Sequence, residues 1–201
     1  MRGYIVAGIG TEVGKTIVSA IFVQHLGADY WKPVQAGGLK NSDTRIVRDL
    51  APGGASFHPE AYRLEQAMSP HAAAGLEGLT LRREKMALPK SGNTLIVEPA
   101  GGLMAPLAPG LLNIDLIQDW NLPVVLVSSY YLGSINHTLL SVEALVTRQI
   151  SILGLVFNGE PVASTRQAIL ENSGLPLLLE IGRAGHVDAD WVNEQAAKLC
   201  L

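Results

Sequence analysis

The stretch GIGTEVGKT, Gly8 to Thr16, follows a short apolar run and ends in Gly-Lys-Thr, a combination suited to phosphate. A glycine-rich turn between a strand and a helix aims successive backbone N–H groups into a concavity, to which the helix N-terminus adds positive potential. Lys15 then extends toward the outer phosphates, and the Thr16 hydroxyl is placed to ligate a magnesium ion bridging them. The spacing is unusual. The common loop has four residues between its glycines, whereas five lie between Gly8 and Gly14 and three between Gly10 and Gly14. Read as Gly8-x-Gly10-x-x-x-Gly14, the stretch also comes within one residue of a dinucleotide-binding fingerprint. That option needs a carboxylate at the tip of the second strand, about twenty residues on, to hold ribose hydroxyls. Asp29 has the separation, but it precedes Tyr30 and Trp31 and enters that strand, whose far end carries Lys32-Pro33. A cation there suits phosphate or carboxylate, not a diol.

Magnesium would require further oxygen ligands at neighbouring strand ends. TLIVE places Glu98 directly after an apolar run, and Asp43 in Asn41-Ser42-Asp43 can start the helix that follows the second strand. Taken alone, Asp43 fits a helix cap and Glu98 a turn acid; beside Lys15 and Thr16, the two fit a metal and nucleotide site. Other chemistries find little support. The five histidines show no paired metal-ligand spacing, a zinc site is improbable with one cysteine, and no G-x-S-x-G elbow occurs. Arg82, Arg83 and Lys85 beside Glu84 read as a solvated helix face.

The elements that must position these residues are visible as apolar or β-rich runs at Tyr4 to Ala7, Tyr30 to Val34, Thr94 to Val97, Pro123 to Ser128, Ile152 to Phe157 and Leu175 to Leu179. Helical periodicity fills Thr16 to Leu26, Asn136 to Thr147, Ala163 to Asn172 and Val187 to Leu199. Alternation of strands and helices predicts an α/β fold, a mostly parallel central sheet with helices on both faces, and ligands beyond the C-terminal strand ends. The Pro/Gly-rich pieces at Ala51 to Gly54 and Glu98 to Gly110 read as loops, the second long enough to be functional.

The chain has 201 residues, 48% hydrophobic and 16% charged, as expected of one domain over 1–201 with a substantial core. Fifteen basic and 18 acidic residues give a net charge of -3 without like-charge blocks, so neither a nucleic-acid partner nor a polybasic membrane anchor is expected. Cys200 is the single cysteine, which excludes a disulfide within one chain and fits a reducing cytoplasm. No apolar run reaches the roughly 18 residues of a membrane span, and the start lacks a secretory signal.

The motifs together resemble the dethiobiotin synthetase family, P-loop NTPases of biotin biosynthesis. The resemblance rests on Thr11 to Thr16 (TEVGKT), Lys32 to Gln35 (KPVQ), Asn41 to Asp43 (NSD), Ser69 to His71 (SPH), Val97 to Gly102 (V-E-x-A-G-G) and Leu132 to His137 (LGSINH), in order and spacing. The family's phosphate loop has five residues between its outer glycines, so the unusual spacing becomes a point of agreement. The resemblance implies an ATP- and Mg2+-dependent carboligase that captures CO2 on 7,8-diaminopelargonate, phosphorylates the carbamate and closes a cyclic urea. It implies Lys32 and Lys15 as catalytic cations and Thr16, Asp43 and Glu98 as magnesium ligands. It implies an ATP site of Glu12, Val13, Gly14, Lys15, Thr16 and Ile17 with Asp43, Glu98, Pro99, Ala100 and Gly101. Asn158 corresponds to an adenine-recognising asparagine, whose amide donates and accepts at once, and Gly182, Arg183 and Ala184 to a nucleotide-contacting turn. Thr11, Lys32 and Ala36 would meet the substrate, with Ser134, Ile135 and Asn136 at a helix start supplied by the partner in a homodimer. The chain departs from the family at Ala36, where Ser or Thr is usual, at Pro99, where glycine is usual, at Gly10, where many members carry Asp, and in a short loop between Gln35 and Asn41. Two other classes compete: a partner-switching P-loop ATPase of the partitioning kind, which commonly has a lysine where Gly10 stands, and a nicotinamide oxidoreductase.

Overall fold

The computed structural model describes residues 2–54 and 56–201. Seven strands form one parallel sheet in the order β11-β10-β9-β1-β6-β2-β4. They are β1 (Gly3–Gly8), β2 (Asp29–Trp31), β4 (Phe57–His58), β6 (Leu95–Val97), β9 (Val124–Ser129), β10 (Ile152–Asn158) and β11 (Leu177–Ile181). Two short pairs stand apart, β3 (Val34–Ala36) parallel to β5 (Tyr62–Leu64) and β7 (Pro106–Ala108) antiparallel to β8 (Leu111–Leu112). The helices are α1 (Lys15–Leu26), α2 (Asp43–Leu50), α3 (Pro70–Leu76), α4 (Asn113–Trp120), α5 (Ser134–Thr147), α6 (Ala163–Ser173) and α7 (Ala189–Ala196).

Near-continuous apolar strands follow from burial on both faces. Alternate residues turn opposite ways: Ile5, Leu95, Val97, Val124 and Leu126 enter one core with residues of α3, α4, α5 and α6. Val6, Ile96, Val125 and Val127 enter the other, with α1, α2 and α7. The α/β expectation is met, with helices on both faces.

Element limits differ from the sequence expectation where proline or a cap intervenes. The run Tyr30 to Val34 is split, because Pro33 has no N–H to give a ladder; β2 ends at Trp31, and Val34 begins β3 beside β5. Pro176 likewise moves the last strand to Leu177–Ile181. The final helix starts only at Ala189, where the Asp188 carboxylate accepts from Trp191 N–H at 2.9 Å. The long loop after β6 carries the β7/β8 pair, and Arg83 lies in a short 3-10 turn, paired with Asp119.

What matters for chemistry is the register of three adjacent strands. Ile5 pairs with Val97 and Val97 with Trp31, so Glu98 and Lys32 leave the sheet side by side, next to the loop that follows β1.

Candidate active site

The loop after β1 is held open by two residues in the left-handed region, Glu12 (φ 60°) and Gly14 (φ 96°). Gly14 stands at the N-cap of α1 with no side-chain cap, leaving the first helical N–H groups free for an anion. A Cβ on Gly14 would lie 2.2 Å from Asn158 Nδ2, the same nitrogen that donates to Val13 O at 3.0 Å. Gly14→Ala therefore combines about 1–3 kcal/mol of backbone strain with displacement of Asn158. Nucleotide affinity is expected to fall by about tenfold or more, a loss of 1.4 kcal/mol or greater, with a lower melting temperature; calorimetric titration and a thermal melt check both.

Lys15 is buried, and its Nζ donates to Gly10 O at 2.8 Å. Burial lowers its pKa to about 8, helped by Lys32 and opposed by Glu98 and Asp43. Glu98, 1% exposed, is the hub. Its Oε1 lies 2.9 Å from Thr16 Oγ1 and 3.0 Å from Lys32 Nζ; its Oε2 accepts from Ser19 Oγ at 2.8 Å and Tyr30 OH at 2.9 Å. Lys32 Nζ also pairs with Asp43 Oδ2. Burial pushes Lys32 toward neutrality, but Glu98 and Asp43 outweigh it and raise its pKa. Burial likewise opposes ionisation of Asp43, and Lys32 and the Thr16 hydroxyl overcome that and hold its carboxyl below the usual range. Burial, then Glu98, raises the Tyr30 pKa, so the phenol remains an O–H donor.

Asp43 is free to face this cluster because it is not the helix cap. Ser42 is the cap, its Oγ accepting from Arg45 N–H at 3.4 Å. The Asp43 N–H donates to Gln35 Oε1 at 3.1 Å, while Gln35 Nε2 donates to Gly37 O at 3.0 Å. Buried Gln35 thus fixes the start of α2.

The donor set fits magnesium. Thr16 Oγ1 sits 3.0 Å from Asp43 Oδ1 and 2.9 Å from Glu98 Oε1, and one hydroxyl proton can satisfy only one of two carboxylates at a time. A hard cation held by one or two carboxylates plus phosphate oxygens matches that arrangement. Among the described residues no cluster of three or more His, Cys, Asp or Glu could hold a metal by itself.

A cleft of about 610 Å³ joins Thr11, Glu12, Gly14, Lys15 and Thr16 to Lys32, Ala36, Asp43, Glu98, Ala100 and Gly101. Val13 turns its side chain into the core and half-buried Ile17 packs against it, neither lining the cleft, and Pro99 is buried outside the cleft lining as well. Asn158 touches the loop from β10. Gly182, Arg183 and Ala184 follow β11, whose Ile181 is in register with Asn158. Ser134, Ile135 and Asn136 open α5 away from the cleft lining, with Ile135 and Asn136 exposed. Ser134 Oγ is buried, with no hydrogen-bond partner among the described residues.

Sequence reasoning missed Ser19, Tyr30 and Asn113. Asn113 Nδ2 donates to Ala100 O and to Gly102 O, the latter at 3.0 Å, pinning the loop after β6. A signal existed for two of them: Ser19 is three residues from Thr16 on one helix face, and Tyr30 stands two residues before Lys32, which follows the end of the same strand.

A family model described as an AAA domain matches residues 2–190. An ATP-dependent dethiobiotin synthetase from Cytophaga hutchinsonii is 45% identical over 201 residues, covering 99% of this chain and 97% of the relative. One from Christiangramia forsetii is 45% identical over 98% of this chain and 95% of its own length. The chain belongs to the dethiobiotin synthetase family. A solved ParA family ATPase from Chlorobium tepidum superposes with a TM-score of 0.58 over 98% of this chain and 89% of its own, at 11% identity, which speaks for the shared fold alone.

As a dethiobiotin synthetase family member, the chain is ATP-dependent, and the partner-switching reading is not favoured. The positions at which the resemblance is imperfect, Gly10, Ala36 and Pro99, do not include Lys15, Thr16, Lys32, Asp43 or Glu98. Ala36 lines the cleft without a hydroxyl, but Ser69 brings one to the same cleft. Among the described residues nothing lies within 4 Å of where a Cβ at Gly10 would stand, so they leave space there for a larger residue. Among the described residues no helix is long and apolar enough to cross a membrane.

Proposed function

We propose that this chain is an ATP-dependent dethiobiotin synthetase working through the cleft built on Lys15, Lys32, Asp43 and Glu98. The observation that carries the reading is Lys32, a buried cation held between Asp43 and Glu98 beside the phosphate loop. The loop N–H groups and Lys15 bind the ATP phosphates. Thr16, Asp43 and Glu98 would hold magnesium, which would supply positive charge against the phosphates.

An amine of 7,8-diaminopelargonate attacks CO2 and loses a proton, giving a carbamate. Lys32 draws that anion and the γ-phosphate together, two negative groups that would otherwise repel. A carbamate oxygen then displaces ADP from the γ-phosphorus. The resulting carbamic-phosphoric anhydride has phosphate as a leaving group, and the second amine attacks its carbonyl carbon, closing the cyclic urea and releasing phosphate and a proton. Preorganised charge at Lys15 and Lys32 stabilises the spreading negative charge. Asn158, with one amide N–H engaged by Val13 O, offers its remaining donor and its carbonyl to the purine edge.

The N-terminus of α5 at Ser134, Ile135 and Asn136 receives the substrate's distal carboxylate from the partner's side of a homodimer. The position of these residues outside the cleft supports that division, as does the exposure of Ile135 among them and of Leu132 beside them. Light scattering is expected to give twice the chain mass. A cytoplasmic location fits the free Cys200 thiol.

Purified protein given ATP, magnesium, bicarbonate and the diamine is expected to release phosphate and form the cyclic urea in equal amounts, as read by phosphate assay and mass spectrometry. Phosphate release indifferent to the diamine would refute the ligase reading.

A further inference from the structure

The four contacts to Glu98 divide by oxygen. Oε1 belongs to the reactive side, shared by Thr16 and Lys32. Oε2 belongs to the protein interior, where the hydroxyls of Ser19 and Tyr30, both 0% exposed, converge on it at 2.8 and 2.9 Å. The two donors come from different elements, α1 and β2, that pack against the same strand end. Neither reaches the cleft lining, so neither can touch substrate, and neither is needed to fill space by virtue of its oxygen. A buried hydroxyl with an apolar substitute of nearly the same shape is retained at a cost in desolvation unless its bond does something.

We propose that Ser19 and Tyr30 are positioning residues that tie up one oxygen of the Glu98 carboxylate, so that only the other faces the phosphates, and that this tuning makes the site discriminate for magnesium over calcium. The inference rests on Glu98 being a magnesium ligand. A carboxylate with both oxygens free can grip a cation through both, as calcium readily accepts; one with a single free oxygen suits the smaller ion, which demands near-octahedral geometry and keeps several waters. Residues that hydrogen-bond a metal-ligating group commonly change metal affinity by about 10- to 100-fold when removed.

The test uses the full chain as Tyr30→Phe, Ser19→Ala and the double variant, with Glu98→Gln beside them. Tyr30→Phe keeps the ring that packs 6.2 Å from Phe57, which protects folding. With a non-hydrolysable ATP analogue bound, magnesium and calcium affinities are measured by calorimetry, and each variant's melting temperature is taken separately. Expected is about a tenfold weaker magnesium affinity in each single variant, calcium affinity unchanged or tighter, and hence a collapse of the magnesium-to-calcium ratio, largest in the double variant. A lower melting temperature with the ratio unchanged would mean that the two hydroxyls only support the fold, and would overturn the proposal. Glu98→Gln separates the two levels. If it binds magnesium like the unaltered protein, the ligand role of Glu98 fails; if it loses magnesium while the hydroxyl variants keep the normal ratio, the positioning role alone fails.

Discussion

Lys32→Ala is expected to lose about a thousandfold or more in turnover, the scale set by removing a cation that stabilises phosphoryl transfer, while retaining nucleotide binding. The split follows from position: Lys15 and the loop amides hold the polyphosphate, whereas Lys32 is poised where a second anion must approach it. The same substitution leaves Glu98 and Asp43 facing each other without their shared cation. Breaking a buried pair by removing one partner typically costs about 3–5 kcal/mol, so the variant is expected to melt well below the unaltered protein, and magnesium with an ATP analogue should restore more stability to it than to the parent. Lys32→Arg distinguishes charge from geometry. A guanidinium keeps the positive charge but presents a planar fork in place of a compact ammonium, so recovery of stability is expected with little recovery of rate. The measurements are single-turnover phosphate release, calorimetric nucleotide affinity and thermal melts. Near-normal turnover in Lys32→Ala would remove it from the catalytic set.

Glu98 and Lys32 were legible because each stands at the end of an apolar run, and in a parallel sheet those ends converge. Glu98 after TLIV and Lys32 after Tyr30-Trp31 needed only that rule. Strand order is another matter: β6 lies between β1 and β2, an adjacency no local periodicity encodes, and it is this that brings Glu98 between the loop and Lys32. Ser19 and Tyr30 escaped notice because a serine in a helix and a tyrosine in a strand are ordinary core residues until a buried carboxylate is placed against them. Asp43 was ambiguous for a local reason, since Ser42 and Asp43 are both good caps; the backbone at Ser42 and the Gln35 carboxamide resolve which of them does it. Asn113 is separated from the carbonyls it pins by the stretch that carries the β7/β8 pair, and no pattern of types marks it.

Lys15→Ala is expected to weaken ATP binding by two orders of magnitude or more and to abolish a pH dependence that the unaltered protein should show. In the free protein burial lowers the Lys15 pKa to about 8. The bound polyphosphate favours the ammonium, so the bound pKa is higher, and between the two values binding takes up a proton. Below pH 8 the free lysine is already charged, and affinity is independent of this group; as pH rises through 8, affinity declines, approaching tenfold per pH unit. For folding the sign is reversed: the native pKa lies below the ordinary lysine value of 10.5, so the buried ammonium disfavours the folded state below pH 8, and that penalty fades as pH climbs toward 10.5. Calorimetry near pH 8.5 in buffers of different ionisation enthalpy counts the protons directly. A fraction of a proton taken up per nucleotide is expected, and none in Lys15→Ala. Equal proton counts in both proteins would place the titrating group elsewhere, whereas loss of affinity together with loss of uptake ties the phosphate loop's charge to Lys15.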